Sequence, residues 1–350
     1  MSSLFESLSL PWLIGAFAVS AAAVWFGGSR LVPLVDALTR KTNLGHAFTG
    51  MLLLGGITSL PEMAAVGTSA VSGNASLAVN NLIGTASINL LLLALADAVY
   101  GRNALTTVAG RPTMLMQGIL SMLLSTAVAL LATIGDVAIF GVGAGATALA
   151  VGAVAALWLC SHFEGRHVWE AVGGRGGDAA AADDQPKDDR PRDDRSLSRI
   201  VLLITLAALL ILSAGFVLSV SAEMIAERTG ISSGIVGFVL VGAATSLPEV
   251  SSVVTAVRLR RYQLAIGDIF GTNLFNVLLL FVADVLYRQG PVLAEAGRFE
   301  AVGALLTVSM TGIFIVGLLE RQDRTVLRMG YDSVAALAAF ALGIVLLARI

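Results

Sequence analysis

Charge is what this chain has least of. Only 13% of its residues are Asp, Glu, Lys or Arg and 56% are apolar, against about 25% charged in soluble domains. That excludes an ordinary solvated surface and leaves a membrane protein. Cysteine is nearly absent: Cys160 stands alone, so neither an intramolecular disulfide nor a thiolate metal site can form. The three histidines form no cluster in an apolar run, which excludes an imidazole site for zinc or copper. No lysine or arginine lies near the middle of an apolar run, so a carboxylate buried there has no cation to pair with. The first apolar run has no basic residue before it, and no cleavable signal peptide is expected. No resident cofactor and no nucleic-acid partner is expected either.

What is there is a series of long apolar runs. A hydrocarbon core about 30 Å thick takes about 20 residues of helix. Ten runs of that kind fit, at about 11–34, 44–71, 76–98, 109–132, 136–160, 199–222, 231–257, 262–286, 297–319 and 330–349. Taking the connecting loops alternately, 18 of the 22 Lys and Arg fall on one side. The basic side is cytoplasmic by the positive-inside rule, which places both termini outside. The expected location is the cell (inner) membrane. Residues 161–198 hold the one extended polar stretch, "GGRGGDAAAADDQPKDDRPRDDRSLSR". Its interleaved acids and bases, without calcium-loop spacing, predict a flexible cytoplasmic linker.

The linker separates residues 1–160 from 199–350, five runs on each side, and the halves repeat one another. Thr58, Glu62, Gly84, Thr85, Asn89, Asp97 and Tyr100 recur at Thr245, Glu249, Gly271, Thr272, Asn276, Asp284 and Tyr287, always 187 positions on. Between about 44–100 and 231–287 about a third of positions are identical, "TSLPE" entirely so. An odd number of spans per half makes the second repeat enter the membrane from the opposite side. The expected fold is therefore an all-α polytopic protein of ten transmembrane helices in two inverted five-helix repeats, an architecture whose ion sites lie near the midplane.

Glu62 lies about 27 Å along its run at 1.5 Å per residue, where a carboxylate is costly unless it meets a cation. The adjacent Pro61 removes a helical donor and frees carbonyl oxygens one turn earlier. Broken backbone at that depth is tolerated where it lines a cavity. Gly55 and Gly56 are expected to let a neighbouring helix come close. Thr58 and Ser59 add hydroxyls, and Gly242, Thr245, Ser246, Pro248 and Glu249 repeat the device. Thr85 and Asn89 share a helix face at i,i+4, as do Thr272 and Asn276. Two carboxylates with hydroxyl and amide oxygens form the hard-ligand set that suits Ca²⁺. The same hydroxyls could instead bond their own helix backbone, and the amides could bridge helices. Asp97, Asp268 and Asp284, near run ends, read as interfacial or capping groups.

With those motifs in view, the chain resembles the sodium/calcium exchanger family within the cation/Ca²⁺ antiporter superfamily. "GITSLPE" and "GAATSLPE" are similar to the family's two repeat signatures, supported by "NNLIGTASIN" and "GDIFGTNLFN". The resemblance implies an antiporter, not an enzyme, that moves small inorganic cations, with Ca²⁺ and Na⁺ as substrates. It implies cation ligation by Glu62, Glu249, Thr58, Ser59, Thr245, Ser246, Thr85, Thr272 and Asn89, with backbone oxygen from Gly55 and Gly242. It also implies that the first and sixth runs, carrying Gly27, Gly28 and Gly215, slide to expose the site alternately. Asn276 stands where many such exchangers have aspartate, so one titratable oxygen is missing. H⁺ or K⁺ as the driving ion stays open beside Na⁺. An intramembrane metal-dependent hydrolase using the paired glutamates is a distant alternative.

Overall fold

The computed structural model describes residues 7–42, 56, 58–100, 106, 112–164, 195–258, 262–320, 325–326 and 329–350. The described elements are almost all helical: α1 (Leu10–Thr42), α2 (Leu60–Ser72), α3 (Ala75–Tyr100), α4 (Pro112–Ile134) and α5 (Ala144–Glu164). After the linker come α6 (Leu197–Thr229), α7 (Ser233–Thr245, with a π-helical segment at Val236–Val241), α8 (Leu247–Arg258), α9 (Tyr262–Leu286), α10 (Arg298–Glu320) and α11 (Tyr331–Leu347). Two short hairpins, β1–β2 (Ala138–Ile139, Val142–Gly143) and β3–β4 (Thr325–Val326, Met329–Gly330), precede α5 and α11.

Seven of these helices are long and apolar enough to cross a membrane, eight if the bent pair α7 and α8 counts as one span. The expected second span is described only at residue 56 and from 58 onward, and α11 has 17 residues. Where ends are visible, the sequence explains them. Gly73 adopts φ 88° and closes α2 with its N–H on Ala70 and that of Asn74 on Ser69, the left-handed cap that glycine makes cheaply. Asn74 then starts α3, its Oδ1 accepting from Leu77 N–H at 2.9 Å.

α1 packs along α6 at the periphery, and α3 and α9 cross at the centre. Only 22% of the most apolar stretch of α1 or α6 is buried, against 89% for α3, so the outer pair leaves most of that stretch uncovered by the rest of the protein. These two helices differ from expectation: each runs 33 residues, about 50 Å at 1.5 Å per residue, well past the 24 residues laid out for them.

The repeat reaches further than the identities in the sequence. α1 begins and ends 187 residues before α6. The starts of α2, α3 and α5 precede those of α8, α9 and α11 by the same interval, and both hairpins obey it. Contacts between the halves are reciprocal. Gly28 faces Pro248, and its counterpart Gly215 faces Pro61 and Ala64. Asp284 Oδ2 accepts from Gly143 N–H at 2.6 Å, and Asp97 Oδ2 accepts from Gly330 N–H at 2.7 Å. Asn273 Nδ2 donates to the carbonyl of Ala86, its own equivalent 187 residues earlier, at 3.1 Å.

The two aspartates thus tie each half's hairpin to the other half's central helix. Both are buried, and Asp284 also accepts from Val292 N–H at 2.7 Å through Oδ1. Charge-assisted bonds of this kind contribute about 1.5–3 kcal/mol each. Asp97→Asn and Asp284→Asn are each expected to lower the melting temperature in detergent while leaving cation exchange intact. Loss of exchange with unchanged stability would contradict the capping role.

Candidate cation site

Pro61 and Pro248 set where the second and seventh spans break. Proline is accepted in the first turn of a helix, where its missing N–H has no partner to lose, and both prolines sit there, in α2 and α8. Ser59 and Ser246 occupy the breaks, with φ −84°, ψ 13° and φ −74°, ψ 1°. The seventh span bends by 44° at its break. Glu62 and Glu249 follow one residue after each proline, inside the first turn of α2 and α8. A helix N-terminus carries partial positive charge, so anions are favoured there.

Both carboxylates are buried, Glu62 at 0% and Glu249 at 1% exposure. Among the described residues none of their four oxygens has a hydrogen-bond partner. The two acids are near enough to repel each other, and Thr245 lies beside Glu62. An unpartnered buried anion costs several kcal/mol. These oxygens are therefore suited to receiving a cation and unsuited to bracing the fold. Ser59 Oγ, Thr272 Oγ1, Asn89 Oδ1 and both amide atoms of Asn276 are also buried without partners.

The other expected ligands divide. Thr58 is buried. Thr245 Oγ1 lies 3.1 Å from Thr85 Oγ1 and donates to Asn81 Oδ1 at 3.2 Å, which joins α7 to α3. Ser246 Oγ donates to the Gly242 carbonyl at 2.8 Å, and Ser246 N–H reaches the same oxygen at 3.1 Å. A carbonyl has two lone pairs, so Gly242 can give an oxygen to a cation only after the Ser246 hydroxyl turns away. Gly55 lies outside the described residues.

The close helix approach expected at Gly56 is found elsewhere, while the same expectation for Gly55 lies outside the described residues. A Cβ on Gly56 would stand 3.6 Å from Phe275, an ordinary contact, whereas one on Gly84 would stand 2.1 Å from the Phe238 carbonyl oxygen. One on Gly242 would come within 2.9 Å of Thr85 N. The reason lies in the π-helical segment of α7, which packs directly on α3.

Three residues of the site were not among the expected ligands. Asn81 precedes Thr85 by four residues and Asn89 by eight, so the helical period that paired the latter two also includes it. Asn273 Oδ1 accepts from Asn89 Nδ2 at 3.1 Å and occupies one central amide pair. Asp268, the counterpart of Asn81 in the second repeat, receives a hydrogen bond from Ser252 Oγ and adds negative field at Glu249. It lies seven residues into α9 and is half-buried. Asn276 lines a cavity of about 20 Å³ with Asn273, Ser125 and Thr307, room for about one water.

Among the described residues no group of three or more His, Cys, Asp or Glu could hold a metal. The site's oxygen is mostly neutral: two carboxylates meet hydroxyls and amides.

Known proteins are similar to this chain. The CaxA protein of Alkalimonas amylolytica is 24% identical over 311 residues, covering 86% of this chain and 89% of that one. The structure of the sodium-calcium exchanger NCX_Mj soaked with Na⁺ and Sr²⁺ superposes with a TM-score of 0.60 at 15% identity, covering 96% of this chain and 99% of that one. The structure of the H⁺/Ca²⁺ exchanger CAX gives a TM-score of 0.64 at 17% identity, covering 98% and 83%. The model of the family described as sodium/calcium exchanger protein matches residues 12–163 and 199–349. By that match, over most of its length, the chain belongs to the sodium/calcium exchanger family of multi-pass membrane antiporters and is a transporter, not an enzyme.

Proposed function

We propose that this antiporter exchanges Ca²⁺ for Na⁺ by alternating access. The carrying observation is the pair Glu62 and Glu249, buried in the first turns of two equivalent broken helices with all four oxygens unpartnered. A divalent cation neutralises both acids at once, and without cargo they repel. Crossing the membrane with bare charge is costly, so the site returns only when another cation or a proton replaces the first. That condition is exchange.

Around the carboxylates, Ser59, Thr272, Asn89 and Asn276 supply unpartnered polar atoms, and Thr58, Thr85, Thr245 and Ser246 supply hydroxyls. Gly55 and Gly242 supply backbone oxygen. The fold reading is ten spans in two inverted repeats, residues 1–160 and 199–350, joined by a cytoplasmic linker at 161–198 with both termini outside. The constant interval of 187 and the reciprocal contacts Gly28–Pro248 and Gly215–Pro61 support it. α1 and α6 would slide over those prolines to open the site to one side and then the other.

A second reading, H⁺ or K⁺ in place of Na⁺, is favoured by Asn276, whose amide cannot carry the charge of an aspartate. Asp268 places a carboxyl group eight residues earlier on α9, beside α8. The test is ⁴⁵Ca uptake into proteoliposomes under imposed Na⁺, K⁺ or pH gradients. An outward Na⁺ gradient is expected to drive uptake severalfold above the gradient-free rate. Uptake that ignores Na⁺ and follows pH would replace this reading with the proton-driven one. Asn276→Asp is expected to raise the steepness of the Na⁺ dependence, read as the slope of uptake against Na⁺ concentration.

A further inference from the structure

α6 begins at the linker and runs along α2, from the broken end that carries Glu62 toward the opposite end of the molecule. Gly215 lies against Pro61 and Ala64. One turn further, Ser219 Oγ lies 2.8 Å from Ser69 Oγ and 3.2 Å from the Ala65 carbonyl, to which it donates. Another turn on, Glu223 Oε1 accepts from Asn74 Nδ2 at 3.1 Å. Residues four apart share a helix face, so this face of α6 is tied both to α2 and to the turn that starts α3.

Membrane helices do not make such contacts by default. Thr205, Ser213, Ser221 and Thr229 of α6 each donate to the carbonyl four residues back, at 2.6 to 2.9 Å, the local bond that satisfies a hydroxyl within its own helix. Ser219 is buried at 1% exposure and crosses to α2 instead. Asn74 works at both ends, its Oδ1 accepting from Leu77 N–H at the start of α3 while its Nδ2 holds Glu223. The serine pair is not a by-product of the internal duplication, because the positions 187 residues from Ser69 and Ser219 are Ala256 and Val32.

We propose that Ser69, Ser219, Asn74 and Glu223 form a latch that keeps the molecule closed at the end away from the linker, which the exchange reading places outside. α6 cannot shift along α2 or part from it there without breaking these bonds. An interhelical polar contact in a membrane changes a two-state ratio by about threefold to fifteenfold. Breaking the latch therefore raises the fraction of molecules open at that end, and apparent affinity on that side rises with the competent fraction. Its consequence for transport rests on the exchange reading, whereas the opening it resists does not. The rival role for Glu223 is simple attraction of cations by its charge, and an uncharged acceptor at that position separates the two.

Thiol labelling of the full-length protein in proteoliposomes tests it. Ala222, fully buried beside Glu223 on α6, becomes the reporter as Ala222→Cys in a Cys160→Ala background, treated from outside with a charged, membrane-impermeant methanethiosulfonate. Adding Ser219→Ala or Glu223→Ala is expected to speed labelling about fivefold, and both together roughly tenfold or more. Ser213→Ala, which removes a hydroxyl bonded within α6, is expected to leave the rate within about twofold. Glu223→Gln, which keeps an acceptor for Asn74 and drops the charge, is expected to stay below about twofold as well. Unchanged labelling in the double variant, or equal acceleration by Glu223→Gln and Glu223→Ala, would overturn the latch whether or not the protein exchanges. In uptake assays, the double variant is expected to lower the KM for Ca²⁺ on the outer face about fivefold or more relative to the inner face. A wild type that takes up no Ca²⁺ under any imposed gradient, while labelling follows the expected order, would overturn the exchange reading and uphold the latch. Melting curves and monodisperse elution establish that each variant is folded.

Discussion

Glu62→Gln and Glu249→Gln are each expected to lower Ca²⁺ uptake by about 100-fold or more. The estimate follows from Coulomb's law: at an effective dielectric of 20, one unit charge facing another at 4 Å contributes about 4 kcal/mol, and a divalent ion doubles that. Each tenfold corresponds to about 1.4 kcal/mol. Because all four carboxylate oxygens lack partners among the described residues, removing a charge breaks no hydrogen bond seen there. Apo-protein stability is expected to hold or rise, as it does when an uncompensated buried charge is removed. The Ca²⁺-dependent stabilisation, about 2.7 kcal/mol at 100 times the dissociation constant and read as a rise in melting temperature, is expected to vanish. A variant that melts earlier without cation yet exchanges at the wild-type rate would show that the glutamates brace the fold and carry nothing.

The second large effect is steric. Gly84→Ala would set a methyl group 2.1 Å from the Phe238 carbonyl oxygen and 2.5 Å from its Cα. Both are backbone atoms, so no side chain can turn aside. α3 and the π-helical segment of α7 would have to part, and the Thr85–Thr245 contact at 3.1 Å would part with them. Overpacking of this kind costs about 1–3 kcal/mol, occasionally more, and the expected result is protein that elutes as aggregate or melts far below wild type. Gly67→Ala serves as the control, since its nearest neighbour is the flexible Leu286 Cδ1 at 3.5 Å. If Gly84→Ala elutes and melts like the control, helix separation is not limited at this crossing.

Much of the site was legible because membrane burial makes polar residues costly. Glu62 and Glu249 stood out against an apolar background with no basic partner, and both proved buried and unpartnered. Pro61 and Pro248 announced the breaks because a missing N–H acts locally, and the helices restart one residue before them. Asn81 could have been read from its spacing to Thr85 and Asn89. Asn273 could not, because it depends on which neighbour a side chain meets across a helix crossing, whereas the Ser246–Gly242 bond is the own-helix alternative that the sequence left open. The same holds for close approach, which Gly56 suggested and Gly84 provides.

The sequence by itself determined the class of protein, the repeat, the places where helices break and the residue types that meet a cation. Each of these follows from local chemistry: hydropathy over about 20 residues, proline's missing donor, and the cost of a lone carboxylate in hydrocarbon. The tertiary structure decided which oxygens are left without partners and which are consumed within the fold. It turned Asp97 and Asp284 from run-end residues into ties between the halves. Those ties depend on contacts between residues more than a hundred positions apart, which only the packing of whole helices can bring together.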